Sequence, residues 1–234
     1  MKPLADCRLY AFVDTTYLRG RAPELVAQQL CDGGADLIQL RAKKSTPDKI
    51  RRMAEAILPV TRRANVGLVI NDHPDIARET GAEFCHLGQE DFFDAGHTHV
   101  SQLSTLNSSA SAGSFGATAP KRSEGGQLKI GLSTRSPEQA KRALAAGPDY
   151  IAIGPVYATG TKPMAKPVTL EYVRWAAAPQ SGVKIPWFAI GGINLRTLDD
   201  VLAAGAKRIC VVSAILNAPN VAKACTEFRR RLED

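Results

Sequence analysis

The stretch Asp149 to Lys162, DYIAIGPVYATGTK, starts as a short apolar run and closes with hydroxyls and an ammonium set around a glycine. Asp149 to Ile153 reads as a buried strand: β-branched apolar residues follow a helical pattern and are stopped by Gly154-Pro155. The polar tail, Thr159-Gly160-Thr161-Lys162, suits a carboxylate or phosphate on a small ligand. Ordinary surface loops use the same residue types. Its meaning therefore depends on whether the pattern of apolar run, polar end and helix recurs along the chain.

It does recur, on both sides. Leu9 to Val13 is an apolar run ending at Asp14, followed by helical spacing from Ala22 to Cys31 and a stop at Gly33-Gly34. Asp36 to Leu40 ends in Arg41-Ala-Lys43-Lys44, and Thr46-Pro47 opens a helix to about Ala64. Gly67 to Ile70 ends at Asn71-Asp72, and a short helix from Pro74 to Thr80 closes at Gly81. Phe84 to Leu87 ends in Gly88-Gln89-Glu90-Asp91; Lys129 to Leu132 ends at Ser133, with a helix from Pro137 to Ala146. Beyond the opening stretch, Trp187 to Ile190 ends at Gly191-Gly192 and Arg208 to Val212 at Ser213, each followed by a helical pattern. Eight strand-helix units in 234 residues predict a parallel sheet closed as a (β/α)8 TIM barrel, one domain over residues 1–234. The alternative is an open doubly wound sheet, which the absence of GxGxxG after the first strand disfavours.

One stretch breaks the rhythm. Residues 101–127, SQLSTLNSSASAGSFGATAPKRSEGGQ, lack a sustained apolar period and cannot bury much surface. They stand where the fourth helix is expected, and read as a flexible insertion over or beside the barrel mouth.

Composition narrows the function. The net charge is +7, but the basic pairs are scattered over separate helices without interleaved aromatics, which argues for a solvated surface or an anionic small substrate and against nucleic acid. The five cysteines are widely spaced with no CxxC pair, so a disulfide framework and a zinc site are both unsupported and a reducing cytoplasm is expected. No apolar run approaches the length of a membrane span, and no signal-peptide pattern opens the chain. Assembly into a homo-oligomer is compatible with the sequence but not specified by it.

In a barrel the polar residues after each strand meet at one mouth. That rule collects Gln39, Arg41, Lys43, Asn71, Asp72, Asp91, Ser133, Thr159, Thr161, Lys162, Gly192 and Ser213. Asp72 and Asp91 end neighbouring strands, about 5 Å apart in a sheet, so both carboxylates can reach one hard cation such as Mg²⁺. Each could instead cap a helix start. His86 reads as packed within the barrel. Gly191-Gly192 and Val212-Ser213 follow strands seven and eight, where barrels commonly hold a phosphate against backbone N–H groups.

Taken together, GADLIQLRAKK (34–44), LVINDHPDIA (68–77), CHLGQED (85–91), IGLSTRS (130–136), DYIAIGPVYATGTK (149–162) and FAIGGI (188–193) resemble the thiamine phosphate synthase family. The resemblance spans nearly the whole chain outside the insertion. It implies a transferase that joins an aminopyrimidine methyl diphosphate to a thiazole ethyl phosphate and releases pyrophosphate. By the same resemblance, Gln39, Arg41, Lys43, Asn71, Ser133 and Lys162 would hold the pyrimidine diphosphate, with Arg41, Lys43, Ser133 and Lys162 stabilising the departing group. Asp72 and Asp91 would hold Mg²⁺, and Thr159, Thr161, Gly192, Val212 and Ser213 the thiazole phosphate. An electron-rich aminopyrimidine can carry a methylene cation, so no protein nucleophile is needed, in keeping with the lack of a Cys-His or Ser-His pair. A thiazole tautomerase would keep the thiazole phosphate site without the diphosphate site, and a silent phosphate-binding barrel would show no Mg²⁺-dependent turnover.

Overall fold

The computed structural model describes residues 1–104, 127–160 and 166–233. Eight strands, β1 (Leu9–Asp14), β2 (Leu37–Arg41), β3 (Gly67–Asn71), β4 (Phe84–Gly88), β5 (Lys129–Thr134), β6 (Tyr150–Ile153), β7 (Trp187–Ile190) and β8 (Ile209–Cys210), pair in parallel in sequence order. β8 pairs back with β1 and closes the barrel. The expected (β/α)8 barrel is therefore the observed fold, and the open sheet is excluded.

Helices α1 (Pro23–Asp32), α2 (Pro47–Arg63) and α3 (Pro74–Thr80) follow the first three strands, each with proline in its first turn, where a missing N–H costs nothing. On α2 the buried set Ile50, Met53, Ala54, Ile57, Leu58 and Thr61 recurs at helical spacing and faces the sheet. Helices α4 (Gln89–Asp94) and α5 (Ser101–Ser104) follow β4; α6 (Pro137–Ala145), α7 (Thr169–Ala177) and α8 (Leu198–Ala203) follow β5, β6 and β7. After β8 come α9 (Ser213–Leu216) and α10 (Val221–Arg231), whose Val221, Cys225 and Phe228 complete the apolar layer. No helix among the described residues is long and apolar enough to cross a membrane.

Three boundaries differ from the sequence expectation. The chain enters α4 directly after β4 rather than leaving the fourth helix to residues 101–127. Glycine at 88 ends the strand, Glu90 and Asp91 fall in the first turn where the helix dipole favours acids, and Phe92 is buried. Residues 101–104 form α5; the remainder of the low-complexity stretch, 105–126, lies outside the described residues, and so does the expectation that it covers the mouth. Strand β6 begins at Tyr150 because the Asp149 carboxylate turns to accept the Ile130 N–H at 2.8 Å. Finally, β8 is two residues long: Val212, at φ −113° and ψ −86°, has already left the extended region to open α9.

Alternate residues of each strand point to the barrel axis. Tyr10 and Phe12, Gln39 and Arg41, His86 and Gly88, Ala152 and Gly154 all border one cavity at the carboxyl ends of the strands. Deeper in, Tyr150 lies across from Gly131 on β5. A Cβ on Gly131 would stand 2.1 Å from the Tyr150 ring, so only glycine leaves room for that tyrosine.

Candidate functional site

The rim on the β2, β3 and β4 side is built from paired charges. Arg41 at the end of β2 donates to the Asp14 carboxylate on β1 at 2.6 Å, and Asp14 is 1% exposed. The other Asp14 oxygen accepts the Thr16 N–H at 2.9 Å, so the acid is locked to its own loop. This pair holds the guanidinium at the mouth. Lys43 reaches across to Asp72 at 2.9 Å, and the Asn71 amide donates to the same Asp72 oxygen at 2.6 Å. Asp72 sits at φ +64°, a left-handed conformation that aspartate tolerates better than most residues. Its N–H is held by the His86 carbonyl at 2.9 Å.

Asp91 lies in the first turn of α4 and lines the same cavity. A Cβ on Gly88 would meet its Oδ2 at 2.5 Å, so the glycine gives that carboxylate its place. Neither aspartate caps a helix: the N-cap positions of α3 and α4 are His73 and Gly88, and neither makes a side-chain cap bond. Among the described residues no three His, Cys, Asp or Glu side chains gather as a complete metal cage. Asp72 and Asp91 border the same cavity, and a set of two carboxylates fits Mg²⁺, which keeps most of its positions for water and phosphate oxygens. The Lys43 ammonium already occupies an Asp72 oxygen as a cation would.

On the opposite side, Gly191 and Gly192 have φ of +103° and +67°. The β7 loop packs so closely on the β6 loop that a Cβ on Gly192 would lie 2.6 Å from the Tyr157 Cβ and 2.7 Å from the Ala158 carbonyl. Gly192, Val212, Ser213 and Thr159 line the cavity with Ser133 from β5. Thr161 and Lys162 lie outside the described residues. Every other residue the sequence reading assigned to the site borders this one cavity.

Sequence reasoning missed the floor and part of the rim. Tyr10, Phe12, Tyr150 and Cys210 belong to apolar runs that look the same whether they face the helices or the axis. The period of two from Tyr10 through Phe12 to Asp14 was the available signal. Gln39, 2% exposed, donates its amide to the Tyr10 hydroxyl at 2.5 Å. The Tyr10 and Tyr150 hydroxyls are 3.2 Å apart, and Tyr150 lies 3.1 Å from His86 Nδ1 with the two rings stacked. His86 is thus packed within the barrel, as expected. At the outer edge, Arg135 pairs with Glu90, and Gln139 bonds both the Arg135 N–H and Glu90.

Covalent catalysis has no candidate among the thiols. All five cysteines are free, and four are buried. Burial pushes Cys7 and Cys31 up to about 11 and Cys225 to about 12, and raises Cys85 and the cavity-lining Cys210 well above the ordinary range. A thiol held protonated is a poor nucleophile. The cavity instead offers cations, carboxylates and backbone at a glycine loop, equipment suited to binding and dispersing phosphate charge.

A family model described as Thiamine monophosphate synthase matches residues 9–103 and 113–215. A thiamine-phosphate synthase of Thermus thermophilus is 42% identical over 200 residues, 86% of this chain and 84% of that protein. That of Acidothermus cellulolyticus is 37% identical over 230 residues, 98% of this chain and 96% of that protein. Among solved structures, a thiamine phosphate pyrophosphorylase from Pyrococcus furiosus superposes with a TM-score of 0.74 at 26% identity, covering 98% of this chain and 97% of that one.

Proposed function

Since this chain belongs to the thiamine monophosphate synthase family and is a transferase, we propose how its own residues divide the work of joining an aminopyrimidine methyl diphosphate to a thiazole ethyl phosphate. In this reaction the C–O bond between the pyrimidine methylene and the diphosphate breaks, its electron pair leaving with pyrophosphate. The thiazole nitrogen then forms the new C–N bond to the methylene, giving thiamine phosphate. No proton has to be moved by the protein.

The task left to the site is charge dispersal and alignment. Arg41, Lys43, Ser133 and Lys162 take the diphosphate oxygens, and Gln39 and Asn71 hold the pyrimidine. Asp72 and Asp91 would hold Mg²⁺, which would supply positive charge for the diphosphate oxygens. Thr159, Thr161, Gly192, Val212 and Ser213 take the thiazole phosphate. Free, buried thiols support a reducing, cytoplasmic setting.

The observation that carries this assignment is the convergence of Arg41, Lys43, Asp72, Asp91 and Ser133 on one cavity with Gly192 and Ser213 on its far side. A tautomerase needs only that far side, so the charged cluster favours the synthase. The test is pyrophosphate release by purified protein with both substrates and Mg²⁺, and with each omitted in turn. Release requiring all three supports the assignment. Release without the thiazole phosphate, or isomerisation of the thiazole without pyrophosphate, would overturn it.

A further inference from the structure

On β5 the alternation that turns Ser133 to the cavity carries past the end of the strand. Thr134 points outward, its hydroxyl 2.8 Å from that of Tyr172 on α7, and Arg135 returns to the mouth, where it borders the cavity with Ser133, Lys43 and Asp91. There its guanidinium pairs with Glu90 in the first turn of α4. We infer that Arg135 is a further binding residue for the diphosphate, and that Glu90 is its counterweight, holding the guanidinium before an anion arrives and weakening the grip on the pyrophosphate that must leave. The inference rests on the diphosphate reading of the cavity.

The base of this arginine is fixed and its tip is not. Ser136 caps α6 by accepting the Gln139 N–H at 3.2 Å, and the Gln139 side-chain oxygen accepts the Arg135 N–H at 2.8 Å. The same carboxamide reaches the Glu90 carboxylate with its nitrogen at 3.3 Å. The backbone at Arg135 is thereby tied to α6, whereas the side chains of Arg135 and Glu90 are 46% and 51% exposed. A pair so open to water adds little to the fold. An anion with several charges therefore displaces Glu90 from the guanidinium at small cost, and the planar fork can take two phosphate oxygens at once. Arg41 differs, because its partner Asp14 is buried and its own side chain is 12% exposed, so that cation is set before any ligand enters.

The pair also stands between the site and solvent. Arg135, Glu90 and Gln139 border both the cavity and an outer groove that continues past Ser136 to Lys166 and Trp175. A purely structural tie between α4 and the loop after β5 would suffer the same damage when broken from either end. Anion binding makes the two ends opposite in sign, since one attracts the ligand and the other competes with it.

Calorimetric titration of inorganic pyrophosphate at saturating Mg²⁺ into wild type, Arg135→Gln, Arg135→Lys, Glu90→Gln and the Arg135→Gln/Glu90→Gln double variant tests this. Arg135→Gln should weaken pyrophosphate binding about tenfold, with Arg135→Lys recovering part of the loss. Glu90→Gln should tighten it about threefold, and most of that gain should disappear in the double variant. Thiazole phosphate affinity should be unchanged throughout. Weakening from both ends, an unchanged affinity in Arg135→Gln, or a gain from Glu90→Gln that is undiminished in the double variant would overturn the inference alone. A wild type that binds no pyrophosphate would overturn the diphosphate reading and the inference with it.

Discussion

Asp14 illustrates how much of the site's electrostatics depends on one buried acid. It is nearly inaccessible and touches Arg41, not the cavity centre, so it acts on a ligand only through that guanidinium. Asp14→Asn should leave a buried cation without its counter-charge, costing about 3 kcal/mol of stability. It should also lower kcat/KM for the pyrimidine diphosphate about 100-fold, with the KM for thiazole phosphate little changed; denaturant titration and steady-state kinetics check the two halves. Asp91→Ala, by contrast, removes an exposed-rim carboxylate. It should lower turnover at limiting Mg²⁺ by more than tenfold while shifting the unfolding midpoint little, and an unchanged rate at limiting Mg²⁺ would count against the metal assignment. Arg41, Lys43, Asn71 and Asp72 were legible because each follows an apolar run. Asp14 follows one too, yet its role as an anchor for Arg41 depends on β1 and β2 pairing in the register Asp14 to Arg41, which no local pattern encodes.

At the scale of elements, the two halves of the site are set by different devices. The β2 to β4 side is held by side-chain pairs, whereas the β7 side is held by backbone, the β6 loop resting on Gly191 and Gly192. The Tyr157 N–H donates to the Gly191 carbonyl at 3.0 Å and the Val156 N–H to the Ile190 carbonyl at 2.8 Å. Gly192→Ala should therefore disturb one half alone. Its Cβ meets the β6 loop backbone and its φ is positive, so the loops must separate; the KM for thiazole phosphate should rise at least about tenfold and stability fall by about 2 kcal/mol. Kinetics with each substrate varied in turn would show the split. The order of elements was readable from the alternation of apolar runs and turn residues. The helix after β4 was not, because Gln89-Glu90-Asp91 is as polar as a loop and only the burial of Phe92 reveals its helical face.

Across the whole molecule, the barrel closes through its shortest strand. β8 contributes two residues to its pairing with β1, Leu9 opposite Ile209 and Tyr10 opposite Cys210. Below it, Asp36, 4% exposed, gathers the Lys2 ammonium at 2.7 Å, the Arg229 guanidinium at 2.6 Å and the N–H groups of Arg8 and Leu9. Burial opposes the charge on Asp36, but these four donors outweigh it and hold its pKa below the ordinary carboxylate value. The resulting stability is fully present above the unfolded value near 3.8 and is lost as pH falls through the lower folded value. Asp36→Asn should thus be destabilised by about 3 kcal/mol at neutral pH, and the gap to wild type should close only below pH 3.8, as urea titrations across that range would show. Asp36 and its partners come from three separate parts of the chain, Lys2 to Leu9, Asp36 and Arg229, so the cluster becomes visible only after closure.

That closure has a consequence for biosynthesis. Chains are made from one end, and β1 leaves the ribosome long before β8 exists, with β2 as its sole available neighbour. Until Ile209 and Cys210 emerge, the growing protein is an open curl whose first strand offers bare hydrogen-bonding groups along one side, and whose Asp36 waits for an arginine not yet translated. The vulnerable moment in the life of this molecule is therefore translation, when a neighbouring nascent chain can occupy the place reserved for its own last strand.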